Sequence, residues 1–278
     1  MNGLHELPLI LFTVFAQSVV GAFLLFTFVL CQAESGKSRQ YVHKAMFVVL
    51  ALLGIGFIAS IMHLGSPLRA FNSLNRVGSS MLSNEIASGA LFFALAGCYW
   101  LLAILNKMPQ ALGKFWLVVT SLVGLVFMYM MANVYQISTV PTWYTSLTSW
   151  AFYLTVVVGG TVLGYILLQP NTYKEYCLKW VPYVYLVGVI LIAVVITYQG
   201  SSLVLISSSV QQASALVPDY APLMALRLSA LGIAAVILLR SQKIALLSIA
   251  VIFVIGAELI GRTLFYGLHM TAGMTVAG

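Results

Sequence analysis

Eight apolar runs, each long enough to cross a hydrocarbon layer, recur along the chain at residues 8–31, 41–63, 83–106, 113–136, 149–168, 177–199, 222–240 and 243–268. A bilayer core is about 30 Å thick and a helix rises about 1.5 Å per residue, so about 20 apolar residues span it. Backbone inside lipid must satisfy its own hydrogen bonds, so each run is expected to be a helix. With 62% hydrophobic and 7% charged residues, the chain has too little polar surface to face water as a soluble domain. The reading is an all-α fold, a polytopic integral membrane bundle of eight transmembrane helices, forming a single membrane domain over residues 1–278. The first run follows MNGLHELP, with no basic segment and no small-residue cleavage site, so it is expected to be a retained span.

The net charge of +7 is an orientation signal. Lys37, Arg39, Lys44, Lys107, Lys114, Lys174, Lys179, Arg240 and Lys243 fall in or beside the odd-numbered connections, whereas the even ones hold only Arg69 and Arg76. The positive-inside rule places the odd connections in the cytoplasm and both termini outside. No basic patch interleaved with aromatics exists, so nucleic-acid binding is not indicated. Cys31, Cys98 and Cys177 stand alone, without the paired spacing of a zinc or iron–sulfur site. Gly160 and Gly164 form a GxxxG that lets another helix approach closely.

The inside connections are short and basic, and the outside ones are long and chemically varied, which places candidate sites outside. Trp143, Tyr144 and Trp150 read as an aromatic belt at the lipid interface. The interval from His63 to Glu85 is richer: in an oily chain it gathers His63, Arg69, Arg76 and Glu85. Gly65 and Pro67 break the preceding span, and Leu64, Leu68, Phe71 and Leu74 recur at helical spacing, as in a short segment lying in the interface. His63 ends one span and Glu85 opens the next, so an imidazole and a carboxylate come to the same outer boundary, where they can face each other and handle protons. An ion pair of Glu85 with Arg69 or Arg76 is the structural alternative.

Glu258 and Arg262, four apart in the last span, are expected to pair within their own helix, and Asp219 can pair with Arg227 at the outer surface. His63, His5 and His269 share an outer depth, but haem in a bundle uses histidines set well inside helices, so no haem or metal is expected in this chain. No nucleotide-binding loop, nucleophile elbow or large soluble domain is present. Any redox centre therefore belongs to a partner or to a diffusing lipid cofactor.

Four stretches carry a resemblance: GIGFIASIMHLGSPLRAFNSLNRVGSSMLSNEIASG from Gly54, TVPTWY from Thr139, SSVQQASALVPDY from Ser208, and ELIGR with FYGLHM between Glu258 and Met270. By them the chain resembles the membrane-anchor subunits of anaerobic dimethyl sulfoxide reductases. The resemblance implies oxidation of diffusible menaquinol to menaquinone in the bacterial inner membrane. It implies two partners: an iron–sulfur electron-transfer subunit and a molybdopterin catalytic subunit that reduces sulfoxides and N-oxides. It implies that His63 and Glu85 serve the quinol site, with Gly65, Arg69 and Phe71 of the same motif beside them. Together with the charge pattern, it favours soluble subunits on the periplasmic side. Two other readings are a proton-coupled transporter built on Glu85, Glu258 and Arg262, and an anchor without a quinol site.

Overall fold

The computed structural model describes residues 2–63, 67–207 and 212–271. Eight helices long and apolar enough to span a membrane run through them. They are α1 (Leu7–Gln32), α2 (Gly36–His63), α3 (Met81–Ile104), α4 (Gln110–Val134), α5 (Ser146–Leu168), α6 (Val181–Leu205), α7 (Tyr220–Arg240) and α8 (Ile244–Gly267). Short 3₁₀ segments cover Asn2–Glu6, Pro67–Arg76 and Ala213–Ala215. Among the described residues the only extended pairing is one bridge between Ser207 and Gln212. The amphipathic segment expected near Leu64–Leu74 thus folds at Pro67–Arg76 in the tighter 3₁₀ form.

The helix ends follow local chemistry. Pro8 and Pro182 sit in the first turns of α1 and α6, where a missing N–H leaves nothing unsatisfied. Pro182 also explains why α6 starts later than the apolar run beginning at residue 177. Thr145 caps α5 by accepting from the Leu147 N–H. Ahead of α3, Gly78 takes a φ of +89°, and its N–H donates to the Asn84 side chain at 2.6 Å, reversing the chain after the 3₁₀ segment.

The helices form two rings with the same connectivity. In the first, α1 packs on α2, α2 on α3, α3 on α4, and α4 returns to α1. In the second, α5, α6, α7 and α8 repeat that circuit. The rings meet where α1 lies along α5, and these two helices are the most buried of the eight. Glycine makes this seam possible: a Cβ on Gly21 would collide with the backbone of Val156 and Gly160, and one on Gly160 with the backbone of Gly21. Gly164 faces Leu25 and Ala22, so the GxxxG is a packing device against α1.

The face opposite the termini is tied by polar contacts. Arg39 donates to the last carbonyls of α1, at Leu30 (2.7 Å) and Ala33 (3.1 Å). The Glu175 carboxylate accepts from the N–H groups of Glu34 (2.8 Å) and Ser35 (2.7 Å) just ahead of α2. Those bonds, from Ser35 above all, hold its carboxyl below the usual carboxylate range. Burial pushes the phenol of Tyr176 up to about 12, and its hydroxyl donates to the Leu168 carbonyl. The connection between α5 and α6 is therefore an ordered cap, longer than the short inner turn expected there.

Candidate functional site

The described residues from His63 to Glu85 lie at the face that carries the start of α1 and the end of α8. His63 is the last residue of α2 and is exposed. Its Nε2 stands 3.1 Å from the Glu6 carboxylate at the head of α1. Gly65 lies outside the described residues. Arg69 and Phe71 fall in the 3₁₀ segment, with side chains outside the described ones. Glu85, in the second turn of α3, is 4% exposed. At about 1.5 Å per residue it sits roughly 6 Å below the start of its helix.

Its Oε1 is buried with no hydrogen-bond partner among the described residues. No ion pair to Glu85 exists among them either, and Arg76 is exposed. His63 and Glu85 share a boundary but are joined by no hydrogen bond or ion pair among the described residues: the imidazole turns to Glu6 and the carboxylate turns inward.

At the same end of the bundle lie two phenols. Tyr135 ends α4 and Tyr266 sits in the last turn of α8; both are buried and their hydroxyls bond each other, either one able to donate. A lid closes the site from above: Thr142 donates to the Leu268 carbonyl (2.6 Å) and the Trp143 indole to the Phe265 carbonyl (2.9 Å). Trp143 stacks on Phe265 at 5.0 Å and meets His269 at 4.7 Å. It is 8% exposed, so it belongs to the protein interior and not to the expected aromatic belt; Tyr144 and Trp150 stay exposed. An indole inside the bundle is stable here because its N–H reaches a helix-end carbonyl.

Deeper, about 13 Å from the end of α8, Glu258 departs from expectation. Its carboxylate takes both bonds from Arg227 on α7 at 3.1 Å, with a third from the Thr155 hydroxyl on α5 at 2.6 Å. The expected pairs Glu258–Arg262 and Asp219–Arg227 are therefore replaced. Arg262 donates instead to Gln17 Oε1 on α1 at 2.6 Å and lies over the Phe152 ring at 3.6 Å. Gly261 explains the exchange: Arg227 lies across it, its Cζ only 2.5 Å from where a Cβ would stand. Geometry thus gives Glu258 to the neighbouring helix, since an arginine crossing from α7 reaches it through the notch at Gly261. A cavity of about 20 Å³ lined by Gln199, Arg227, Glu258 and Arg262 adjoins the pair, room for about one water.

Sequence reasoning alone does not single out Tyr135, Tyr266, Gln17 or Thr155. Gln17 carries a signal, a lone amide inside an otherwise apolar run; tyrosines at span ends are too common to stand out. Among the described residues no three His, Cys, Asp or Glu side chains group as a metal would require.

Against this geometry stand the similarities to known proteins. A family model described as "DMSO reductase anchor subunit (DmsC)" matches residues 1–268. The C subunit of the anaerobic dimethyl sulfoxide reductase of Haemophilus influenzae is 60% identical over 277 residues, covering 100% of this chain and 99% of the relative. The YnfH subunit of an anaerobic dimethyl sulfoxide reductase of Escherichia coli K12 is 49% identical over 285 residues, covering 100% of this chain and 99% of the relative. The C subunit of the anaerobic dimethyl sulfoxide reductase of the same organism is 48% identical over 284 residues, covering 99% of each.

Proposed function

This chain belongs to the family of DMSO reductase anchor subunits, and on that premise we propose that it oxidises menaquinol at the face carrying its termini and feeds the electrons to an iron–sulfur subunit docked there. A third, molybdopterin-bearing subunit would then reduce dimethyl sulfoxide or an N-oxide. The observation that carries the reading is the contrast between the two carboxylates inside the bundle. Glu258 has its oxygens engaged by Arg227 and Thr155. Glu85 keeps Oε1 unbonded among the described residues, buried near the outer end of α3. A buried carboxylate oxygen left open is costly, and such groups inside membranes mark sites.

Menaquinol, when bound, supplies two electrons and two protons. Glu85 would accept a hydroxyl hydrogen bond at Oε1 and take its proton, because that carboxylate oxygen has no partner among the described residues. His63, exposed and held by Glu6, would pass protons to water at the rim. Gly65, Arg69 and Phe71, which fall between the two in sequence, would belong to the same quinol-site motif. A transporter built on Glu85, Glu258 and Arg262 is less well supported, since a Glu258 carboxylate held by an arginine and a threonine is poorly placed to load and release protons.

Membership of this family supports a bacterial inner-membrane location, and the charge pattern supports periplasmic termini and hence partners on the periplasmic side. Protease treatment of sealed vesicles tests the side: the iron–sulfur subunit should be cut only when its face is outermost. Quinone extraction from the purified complex tests the site. About one menaquinone per complex is expected at saturation, and a complex that neither retains quinone nor turns over with added menaquinol would refute the reading.

A further inference from the structure

A groove of about 440 Å³ runs along α6, lined by Trp180, Tyr183, Val187, Gly188 and Leu191 at helical spacing, with Val157 of α5 beside them. That volume falls in the range of sites for small organic ligands, about 300–1,000 Å³. Gly188 shapes its floor: a Cβ there would stand 2.8 Å from Val158 Cγ1 and 3.3 Å from Val157 Cγ1. The two helices therefore approach closely and leave a furrow beside the contact. Among the described residues α6 packs chiefly on α5 and α7, and Tyr183, Val187 and Leu191 stay exposed. From Trp180 to Leu191 the furrow runs about 16 Å along the helix, and half of a hydrocarbon core is about 15 Å. It starts at the face opposite the termini and stops near mid-membrane.

Its mouth has a different chemistry. The Trp180 indole donates to the Cys177 carbonyl at 3.1 Å and meets Phe28 of α1 edge-on at 5.4 Å. Tyr183 follows three residues on, and side chains on a helix lean toward its N-terminus, which here is the mouth. An indole and a phenol so placed belong at headgroup depth. Lys179 precedes Trp180 and is exposed. Lys174, in the same connection, donates to Gln169 Oε1 at 2.7 Å. Neither lysine has a carboxylate within ion-pair distance among the described residues. Glu175, the acid of that connection, spends its Oε2 on the N–H groups of Glu34 and Ser35. Lys37 adds a further positive charge beside the connection, over the Tyr173 ring at 5.2 Å.

We propose that this groove holds one acyl chain of an anionic phospholipid from the leaflet at the face opposite the termini, with Lys179 and Lys174 on its headgroup. An apolar wall one leaflet deep suits a hydrocarbon chain, and lysines without a carboxylate at its mouth favour a negative head. A zwitterionic lipid would fill the same furrow but bring those lysines no net counter-charge. The site lies at the opposite end of the bundle from Glu85 and needs nothing from the quinol reading.

The test is native mass spectrometry of the purified complex in mild detergent, with the retained lipids identified. Val187→Trp puts an indole at an exposed position and fills the furrow without entering the core. The native complex should retain one more anionic phospholipid than this variant. Phosphatidylglycerol and phosphatidylethanolamine are then titrated separately into delipidated complex. The native complex should favour phosphatidylglycerol, and Lys174→Ser with Lys179→Ser should lower that preference about tenfold. Equal retention by the native complex and Val187→Trp, or equal affinity of the native complex for the two lipids, overturns the proposal. So does menaquinone, or a second copy of the chain, in place of the lipid. If Val187→Trp does not assemble, the lysine pair decides, since both side chains are exposed.

Discussion

Glu258 on α8 holds Arg227 on α7 at 3.1 Å, although Arg262 stands only one turn away on its own helix. The pair is buried, so it joins α7 to α8 where neither charge could face water. Removing one partner strands the other in an apolar interior. Arg227→Ala or Glu258→Ala should lower stability by about 3 kcal/mol or more, and replacing both with leucine should recover most of it. Thermal unfolding in detergent measures this; equal losses for the single and double variants would contradict it.

The seam between the two rings depends on glycine. Gly160→Val places side-chain atoms inside the α1 backbone and should abolish monodisperse protein. Gly256→Ala, where a Cβ meets nothing within 4 Å, should be tolerated. Size-exclusion profiles of the two variants decide the point.

Most of this architecture was legible in the chain. Eight apolar runs gave eight helices, and Gly160 with Gly164 marked the closest packing. The misplaced features share a cause: sequence spacing describes one helix at a time. The Glu258–Arg262 spacing favours a pair within α8, but Arg227 arrives from another helix and the notch at Gly261 admits it. Trp143 looked like an interface residue because nothing local says that the loop folds back over the end of α8. Tyr135 and Tyr266 lie 131 residues apart, and only the closed rings bring them together.

The cap on the face opposite the termini carries a pH signature. The N–H groups of Ser35 and Glu34 hold the Glu175 carboxyl below its ordinary range. A depressed carboxyl contributes stability above its unfolded value and loses it as pH falls through the folded one. The melting temperature should therefore drop more steeply below about pH 4.5 in the native protein than in Glu175→Gln. Parallel curves would show that this contact contributes nothing.

The lid over the site should open when its bonds are cut. Thr142→Val leaves the Leu268 carbonyl without its 2.6 Å donor, at a cost of about 1 kcal/mol. Hydrogen exchange at amides 265–269 should speed up about fivefold, while that of the α1–α5 seam stays unchanged. Exchange that stays slow throughout would mean that Trp143 alone holds the lid.

The most direct test of the central claim is menaquinol-driven turnover of the Glu85→Gln complex, set against turnover with an artificial donor that feeds the partner's clusters without the membrane site. Glutamine keeps the shape of the buried side chain but gives up the proton-accepting oxygen. A loss of about 100-fold or more with menaquinol, while the complex stays assembled and the artificial-donor rate is kept, is the predicted result. Native menaquinol-driven turnover by that variant would contradict the claim that this carboxylate receives the quinol proton.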